Sequence, residues 1–162
     1  MAPSLEGKFM RVLMDNIALL DTNILVHAAN EDSPYHADAK SVIERINSGE
    51  LKACLSGQIL AEFYATLTNP KKVRQPLSVK EGALAIEGYL ESDILKLYPR
   101  RDTLKLTLEL VRSYQVKGLD IFDAQIVATM VENKIKTIYT ANEKDFRRYK
   151  EIEVINPLTL SP

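Results

Sequence analysis

The sequence predicts an α/β fold with a central parallel sheet and helices on both faces. Two observations predict it. Short apolar runs alternate with longer segments whose apolar residues recur every three or four positions, the pattern of strands joined by amphipathic helices. Runs such as Ile17-Ala18-Leu19-Leu20 are apolar at successive positions, as strands covered on both faces must be. That first strand stops at Asp21-Thr22-Asn23. Ser33-Pro34 offers a cap and a proline at the first helical position; Ala39, Val42, Ile43 and Ile46 then share a helical face that Gly49 closes. Residues 51–55 form a second strand, and Ser56-Gly57 opens a helix with Ile59, Leu60, Phe63 and Leu67 on one face, ended by Asn69-Pro70. Ser78 and Glu81 make a capping box for a helix carrying Val79, Ala83, Ile86 and Leu90. Residues 94–98 are a third strand. Residues 103–110 alternate with period two, yet Leu, Lys and Glu are helix formers. With Leu104, Leu108 and Val111 on one face, they read as a helix capped by Asp102. Another helix spans about 120–133, and a strand at 137–139 ends at Thr140. Asn142 caps a short helix over 143–148, and Val154-Ile155 is the last strand.

Composition narrows the class. The chain has 162 residues, 46% hydrophobic and 27% charged, which excludes a disordered or low-complexity protein. Residues 1–14, with Met1, Met10 and Met14, read as a flexible leader before one domain over 15–162. The single cysteine, Cys54, excludes an intrachain disulfide framework and a zinc site built from several thiolates. A net charge of −1 supplies no global basic field, so any nucleic-acid binding rests on local patches. No apolar run approaches the ~20 residues of a membrane span, and no cleavage pattern follows the apolar residues near the start. The expected location is the cytoplasm, with no membrane partner.

Three acids stand where the local pattern calls for apolar residues. Asp21 ends an apolar strand, Glu62 lies between Leu60-Ala61 and Phe63-Tyr64, and Asp123 leads a stripe completed by Ile126, Val127 and Met130. Carboxylates at a core margin are costly unless something positive compensates them. Oxygen-only clusters suit Mg²⁺ or Mn²⁺, which activate water and neutralise charge developing on a phosphate. Each acid also has an ordinary reading. Asp21 can start a turn with Asn23, Glu62 can be a solvated helix residue, and Asp120 and Asp123 can be the cap and third residue of one helix, as can Asn142 and Asp145. His27 and His36 match no helical metal pair, and no glycine-rich phosphate loop or G-x-S-x-G elbow occurs. Lys71, Lys72 and Arg74 form a basic loop; Arg100-Arg101 and Arg147-Arg148-Lys150 add two clusters that together could hold an RNA backbone.

The segments LLDTNILVHA (19–28), ILAEFYATLTNP (59–70), DIFDAQIVATM (120–130) and TIYTANEKDF (137–146) resemble the PIN-domain family, especially its VapC-type toxin ribonucleases. The resemblance runs from Ile17 to Leu158, with four motifs in order. It implies a three-layer α/β/α sandwich around a parallel sheet, an Mg²⁺- or Mn²⁺-dependent endoribonuclease, a homodimer, and a small VapB-type antitoxin that blocks the site. By position, Asp21, Glu62 and Asp123 match the family's first three acids, with Asp21 and Asp123 as metal ligands. Glu62 would position or deprotonate the attacking water. Thr22 and Asn23 match the polar pair after the first acid, and Thr140 the hydroxyl residue of the fourth motif. The usual fourth acid falls on Asn142, so Asp145 or Asp120 would replace it, or Asn142 would act through water. Thr140 and Asn142 would orient the carboxylates. The departure at Asn142 keeps an alternative open, an RNA-binding or interaction module with weak or no catalysis. A haloacid-dehalogenase-like phosphatase needs a second Asp two residues after the first; Asn23 stands there and argues against it.

Overall fold

The computed structural model describes residues 16–159, and the expected leader at 1–14 lies outside them. In chain order the elements are β1 (Ile17–Leu20), α1 (Thr22–Ala29), α2 (His36–Asn47), β2 (Lys52–Ser56), α3 (Gly57–Leu67), α4 (Val79–Glu91) and β3 (Leu95–Leu97). There follow α5 (Thr103–Tyr114), a 3₁₀ turn (Gly118–Asp120), α6 (Ile121–Glu132), β4 (Thr137–Tyr139), α7 (Glu143–Phe146), β5 (Glu153–Ile155) and a 3₁₀ turn (Pro157–Thr159). The five strands form one parallel sheet in the order β3-β2-β1-β4-β5. Every connection is therefore a crossover. Helices α1 to α4 pack on one another, and α5 packs on α6. The chain steps outward from β1 to β3, then returns past β1 to β4. With right-handed crossovers, that reversal puts the two helix groups on opposite faces. The α/β/α layering expected from the sequence results.

The core confirms why the strands read as apolar runs. Leu19, Leu20, Cys54, Leu55 and Ile138 are all fully buried, sandwiched between helix layers. Burial pushes the Cys54 thiol up to about 12, so it packs as a small apolar group. Helix α6 is buried nearly all round, from Ala124 through Met130, as a helix covered by both the sheet and α5 must be. Among the described residues no helix is long and apolar enough to cross a membrane.

Several local expectations are corrected. Helix α1 follows β1 directly, where the sequence reading placed only a turn. On α5 the buried face is Thr103, Thr107 and Leu110, while Leu104 and Leu108 are exposed. The threonines can face inward because their hydroxyls are satisfied: Thr103 bonds Glu132 and accepts from the Arg100 amide, and Thr107 donates to the Thr103 carbonyl at 2.8 Å. On α4, Val79 and Leu90 are exposed, and the contact face centres on Gly82. A Cβ there would lie 2.7 Å from Thr68 Cγ2 and 2.8 Å from Tyr64 Cε2, so only glycine allows α4 this close to α3. The capping box of Ser78 and Glu81 is present. Asp102, Asp120 and Asn142 occupy cap positions but make no side-chain cap bond. Ser33 does not cap α2, which starts at His36; its hydroxyl meets His27 Nδ1 at 2.7 Å and accepts from the Tyr35 amide at 3.1 Å.

Candidate active site

β1 and β4 are neighbours at the point where the winding of the sheet reverses. In such sheets the crevice beyond the carboxyl ends of the two strands is the binding site. The register pairs Leu20 with Tyr139, so the residues that follow, Asp21 and Thr140, stand side by side at this edge. Both are buried. The Thr140 hydroxyl donates to Asp21 Oδ2 at 2.7 Å, Asn23 Nδ2 donates to the same oxygen at 2.8 Å, and the Thr22 amide donates to Oδ1 at 2.7 Å. Asn23 also donates to Thr140 Oγ1 at 3.1 Å and accepts the Ala141 amide at 3.0 Å. Thus Asn23 ties the start of α1 to the end of β4. A carboxylate offers about four lone-pair sites, and three are taken, which leaves one free on Oδ1. Burial raises the Asp21 pKa and the charge of Glu62 adds to it, against the pull of the three hydrogen bonds.

Glu62 sits on α3, half-buried, six residues past the Ser56 cap. Its Oε2 accepts from Thr22 Oγ1 at 3.0 Å and its Oε1 from Gln58 Nε2 at 2.9 Å. The same Gln58 amide donates to the Phe122 carbonyl at 3.0 Å, so it braces Glu62 against the first turn of α6. The sequence reading missed Gln58. Its signal was the i,i+4 spacing to Glu62 on one helix face.

Asp123 projects from that first turn of α6, half-buried and with no hydrogen-bond partner among the described residues. Its pKa is pushed up to about 7, first by burial, then by the negative charges of Asp145, Asp21, Glu62 and Asp120. Four acids, from α3, α7, the 3₁₀ turn and the end of β1, therefore act on Asp123. No lysine or arginine of the described residues pairs with Asp21, Glu62 or Asp123, whereas Asp120 is exposed and pairs with Arg148 at 3.4 Å. No group of three or more His, Cys, Asp or Glu among the described residues forms a ready cage for an ion. The donor set suits a hard cation held by one or two carboxylates, with water and a phosphate completing its shell. Asp21, with one lone pair free, and the unpartnered Asp123 fit that requirement.

The remaining candidates separate. Asn142 is exposed, and only its backbone amide joins the cluster, donating to Thr140 Oγ1 at 2.9 Å. Asp145 is exposed on α7 and reaches Asp123 through its charge. Lys71, Lys72 and Arg74 are exposed beyond the C-terminal end of α3, past Leu67 and more than a helical turn from Glu62. Arg100 reaches Asn133, at the end of α6 remote from Asp123, so the basic side chain beside the acids is Arg148. His27 and His36 are structural: His36 Nδ1 meets the His27 carbonyl at 3.2 Å, and His27 packs edge-on to Tyr35.

Fold and site together define an α/β domain with carboxylates gathered beyond the carboxyl ends of β1 and β4, where the winding of a parallel sheet reverses. The PIN-domain family model matches residues 18–152, and the chain belongs to the PIN-domain family. It is 26% identical over 140 residues to VapC ribonuclease Mb2897 of Mycobacterium bovis, covering 86% of this chain and 94% of that protein. It is also 26% identical over 141 residues to ribonuclease VapC24 of Mycobacterium tuberculosis, covering 86% and 96%. Among solved structures, VapC20 of Mycobacterium tuberculosis, described as a sarcin-ricin loop cleaving toxin, is similar with a TM-score of 0.61 and 18% identity over 85% of this chain and 98% of that one. VapBC2 of Rickettsia felis, bound to promoter DNA, is similar with a TM-score of 0.62 and 20% identity over 86% and 98%. These structural likenesses show the fold.

Proposed function

We propose that the chain is a divalent-cation-dependent endoribonuclease and the toxin of a toxin–antitoxin pair. The observation that carries the reading is the convergence of Asp21, Glu62 and Asp123 with no basic partner, felt at Asp123 as a pKa near 7. Burial first, and then the repulsion of the neighbouring acids, make the ionised Asp123 costly, and a bound cation relieves that cost. Asp21 and Asp123 would hold Mg²⁺ or Mn²⁺, which when bound supplies positive charge against the scissile phosphate and lowers the pKa of water. The chain's own residues do the rest. Thr140, Asn23 and the Thr22 amide fix both oxygens of Asp21 before any ligand arrives. Thr22 and Gln58 hold Glu62 by both of its oxygens, leaving it aimed to orient water and accept its proton. Thr140 thus serves as a brace for Asp21, and Asn142 contributes through its backbone.

The relatives named VapC ribonucleases support the ribonuclease reading, and structures such as VapBC2 support a small protein antitoxin. An antitoxin that inserts a basic side chain among the three acids would supply the missing counter-charge and block the site. Self-association belongs to the same reading; the exposed Leu104, Leu108, Leu119 and Phe122 offer apolar surface for it. Incubating purified protein with a mixed RNA pool tests the function: cleavage in Mg²⁺ or Mn²⁺ and none in chelator supports it. RNA binding without cleavage in either cation would favour the non-catalytic module that Asn142 leaves open.

A further inference from the structure

The cation beside the acids is held only loosely. Arg148 Nη2 donates to Asp120 Oδ2 at 3.4 Å, a single long contact between side chains that are 37% and 56% exposed. An exposed pair of that kind contributes little to stability. A guanidinium carries five N–H donors in a planar fork that matches two oxygens of a phosphate, and this contact engages one nitrogen. Neighbouring Arg147 is committed elsewhere, to Glu143 at 2.7 Å, one turn back on α7. The backbone beneath Arg148, by contrast, is fixed. Phe146 and Tyr149 on either side are buried, and the Tyr149 amide donates to the Phe146 carbonyl at 3.0 Å. The Lys150 amide donates to the Tyr114 hydroxyl at 3.0 Å, and the Tyr114 ring packs edge-on to Tyr149 at 5.0 Å. A partly exposed head on a fixed base is thus parked at Asp120. Asp120 is the N-cap of α6 in αR backbone, and Asp123 lies three residues on. Side chains at that spacing share a helical face, with Cβ atoms roughly 5–6 Å apart. Arg148 therefore stands one step along the helix from Asp123.

We propose that Arg148 exchanges Asp120 for RNA: when a strand enters, the guanidinium leaves the exposed Asp120 carboxylate and takes a phosphate beside the scissile bond. A phosphodiester offers two anionic oxygens to the fork, where Asp120 engages Nη2 alone. Asp120 is then the resting partner that keeps the guanidinium at the mouth of the site, and a rival to the substrate phosphate. The inference deepens the ribonuclease reading and rests on it for the identity of the anion.

The test measures the affinity of a fluorescein-labelled single-stranded RNA oligonucleotide of mixed sequence, in Mn²⁺ and across a salt series. Affinity is read as the protein concentration giving the half-maximal single-turnover rate, or by anisotropy if the RNA stays intact. Arg148→Ala should weaken it by about tenfold and reduce the slope of log affinity against log salt by about 0.7, one phosphate contact on a single strand. Arg148→Lys should keep the slope and recover only part of the affinity, because a point charge replaces the fork. Asp120→Asn should strengthen binding by about two- to fivefold, since the rival acceptor is gone, and that gain should shrink in the Arg148→Ala background. An equal gain in both backgrounds, or weaker binding by Asp120→Asn, would overturn the exchange. RNA affinity and salt slope unchanged in Arg148→Ala, in a wild type that cleaves, would overturn this inference and leave the ribonuclease reading standing. The predicted shifts in a wild type that binds RNA but cuts it in neither Mg²⁺ nor Mn²⁺ would support the exchange and remove the nuclease. A wild type that neither binds nor cuts RNA would overturn both.

Discussion

Replacing Asp123 by asparagine in metal-free protein should stabilise the fold, and the gain should grow with pH. The Asp123 carboxyl is pushed up to about 7 in the folded state, against an ordinary value of 3.8. That gap corresponds to roughly 4 kcal/mol at about 1.4 kcal/mol per unit. Asp123 is half-exposed, so solvent screening reduces the usable figure to about 2 kcal/mol. Because the folded pKa is raised, folded protein binds more protons than unfolded protein between the two values. The site's contribution to stability is full below about 4 and is lost as pH rises through about 7. Asparagine is neutral throughout, so its advantage is absent near pH 3.5, develops between the two pKa values and levels off by pH 8. For a chain of this size about 2 kcal/mol is worth about 4–8 °C in melting temperature. Thermal unfolding of wild type and Asp123→Asn in chelator, at pH 5 and pH 8, reads the effect directly. The reasoning is refuted if the difference between the two proteins does not grow with pH, or if the variant melts lower at pH 8.

Asp21→Asn should behave oppositely in stability, losing about 1–3 kcal/mol, because its amide would point a donor at donors that now bond the carboxylate; chemical denaturation checks this, and cleavage should be abolished. Saturating Mn²⁺ should stabilise the wild type by about 2.7 kcal/mol at a hundredfold excess over its dissociation constant and leave Asp123→Asn nearly unmoved, as differential scanning calorimetry would record. Gln58→Leu should slow RNA cleavage while the fold survives, since it frees Glu62 Oε1 and unties α3 from the Phe122 carbonyl; single-turnover kinetics with circular dichroism separates the two effects. RNA affinity should fall with rising salt, and Lys71→Ala with Lys72→Ala should flatten that slope. Arg148→Ala should flatten it too, and an affinity independent of salt would remove phosphate contacts from the account.

The strand–helix alternation was legible because each signal was local. β1 announced itself by a continuous apolar run, and the capping box of α4 by two residues. The acids at 21, 62 and 123 were legible for a related reason: each broke an apolar pattern that the neighbouring residues kept. What stayed hidden depended on partners distant in sequence. The face of α5 could not be read from its leucines, because Thr103 and Thr107 are buried only where Glu132 and their own backbone satisfy them. Gln58 showed in the sequence only as the i,i+4 neighbour of Glu62; its second tie, to the Phe122 carbonyl 64 residues further along the chain, exists only once α6 is in place. Helix α1 was obscured because Asp21 is at once its N-cap and a buried acid, two roles the sequence presents as alternatives.

The most direct measurement is anomalous diffraction from crystals soaked in Mn²⁺ at millimolar concentration. The account predicts one strong peak between the carboxylates of Asp21 and Asp123, at the carboxyl ends of β1 and β4, and no such peak in Asp123→Asn. RNA cleavage by the same preparation in chelator, with no peak at those two acids, would contradict it.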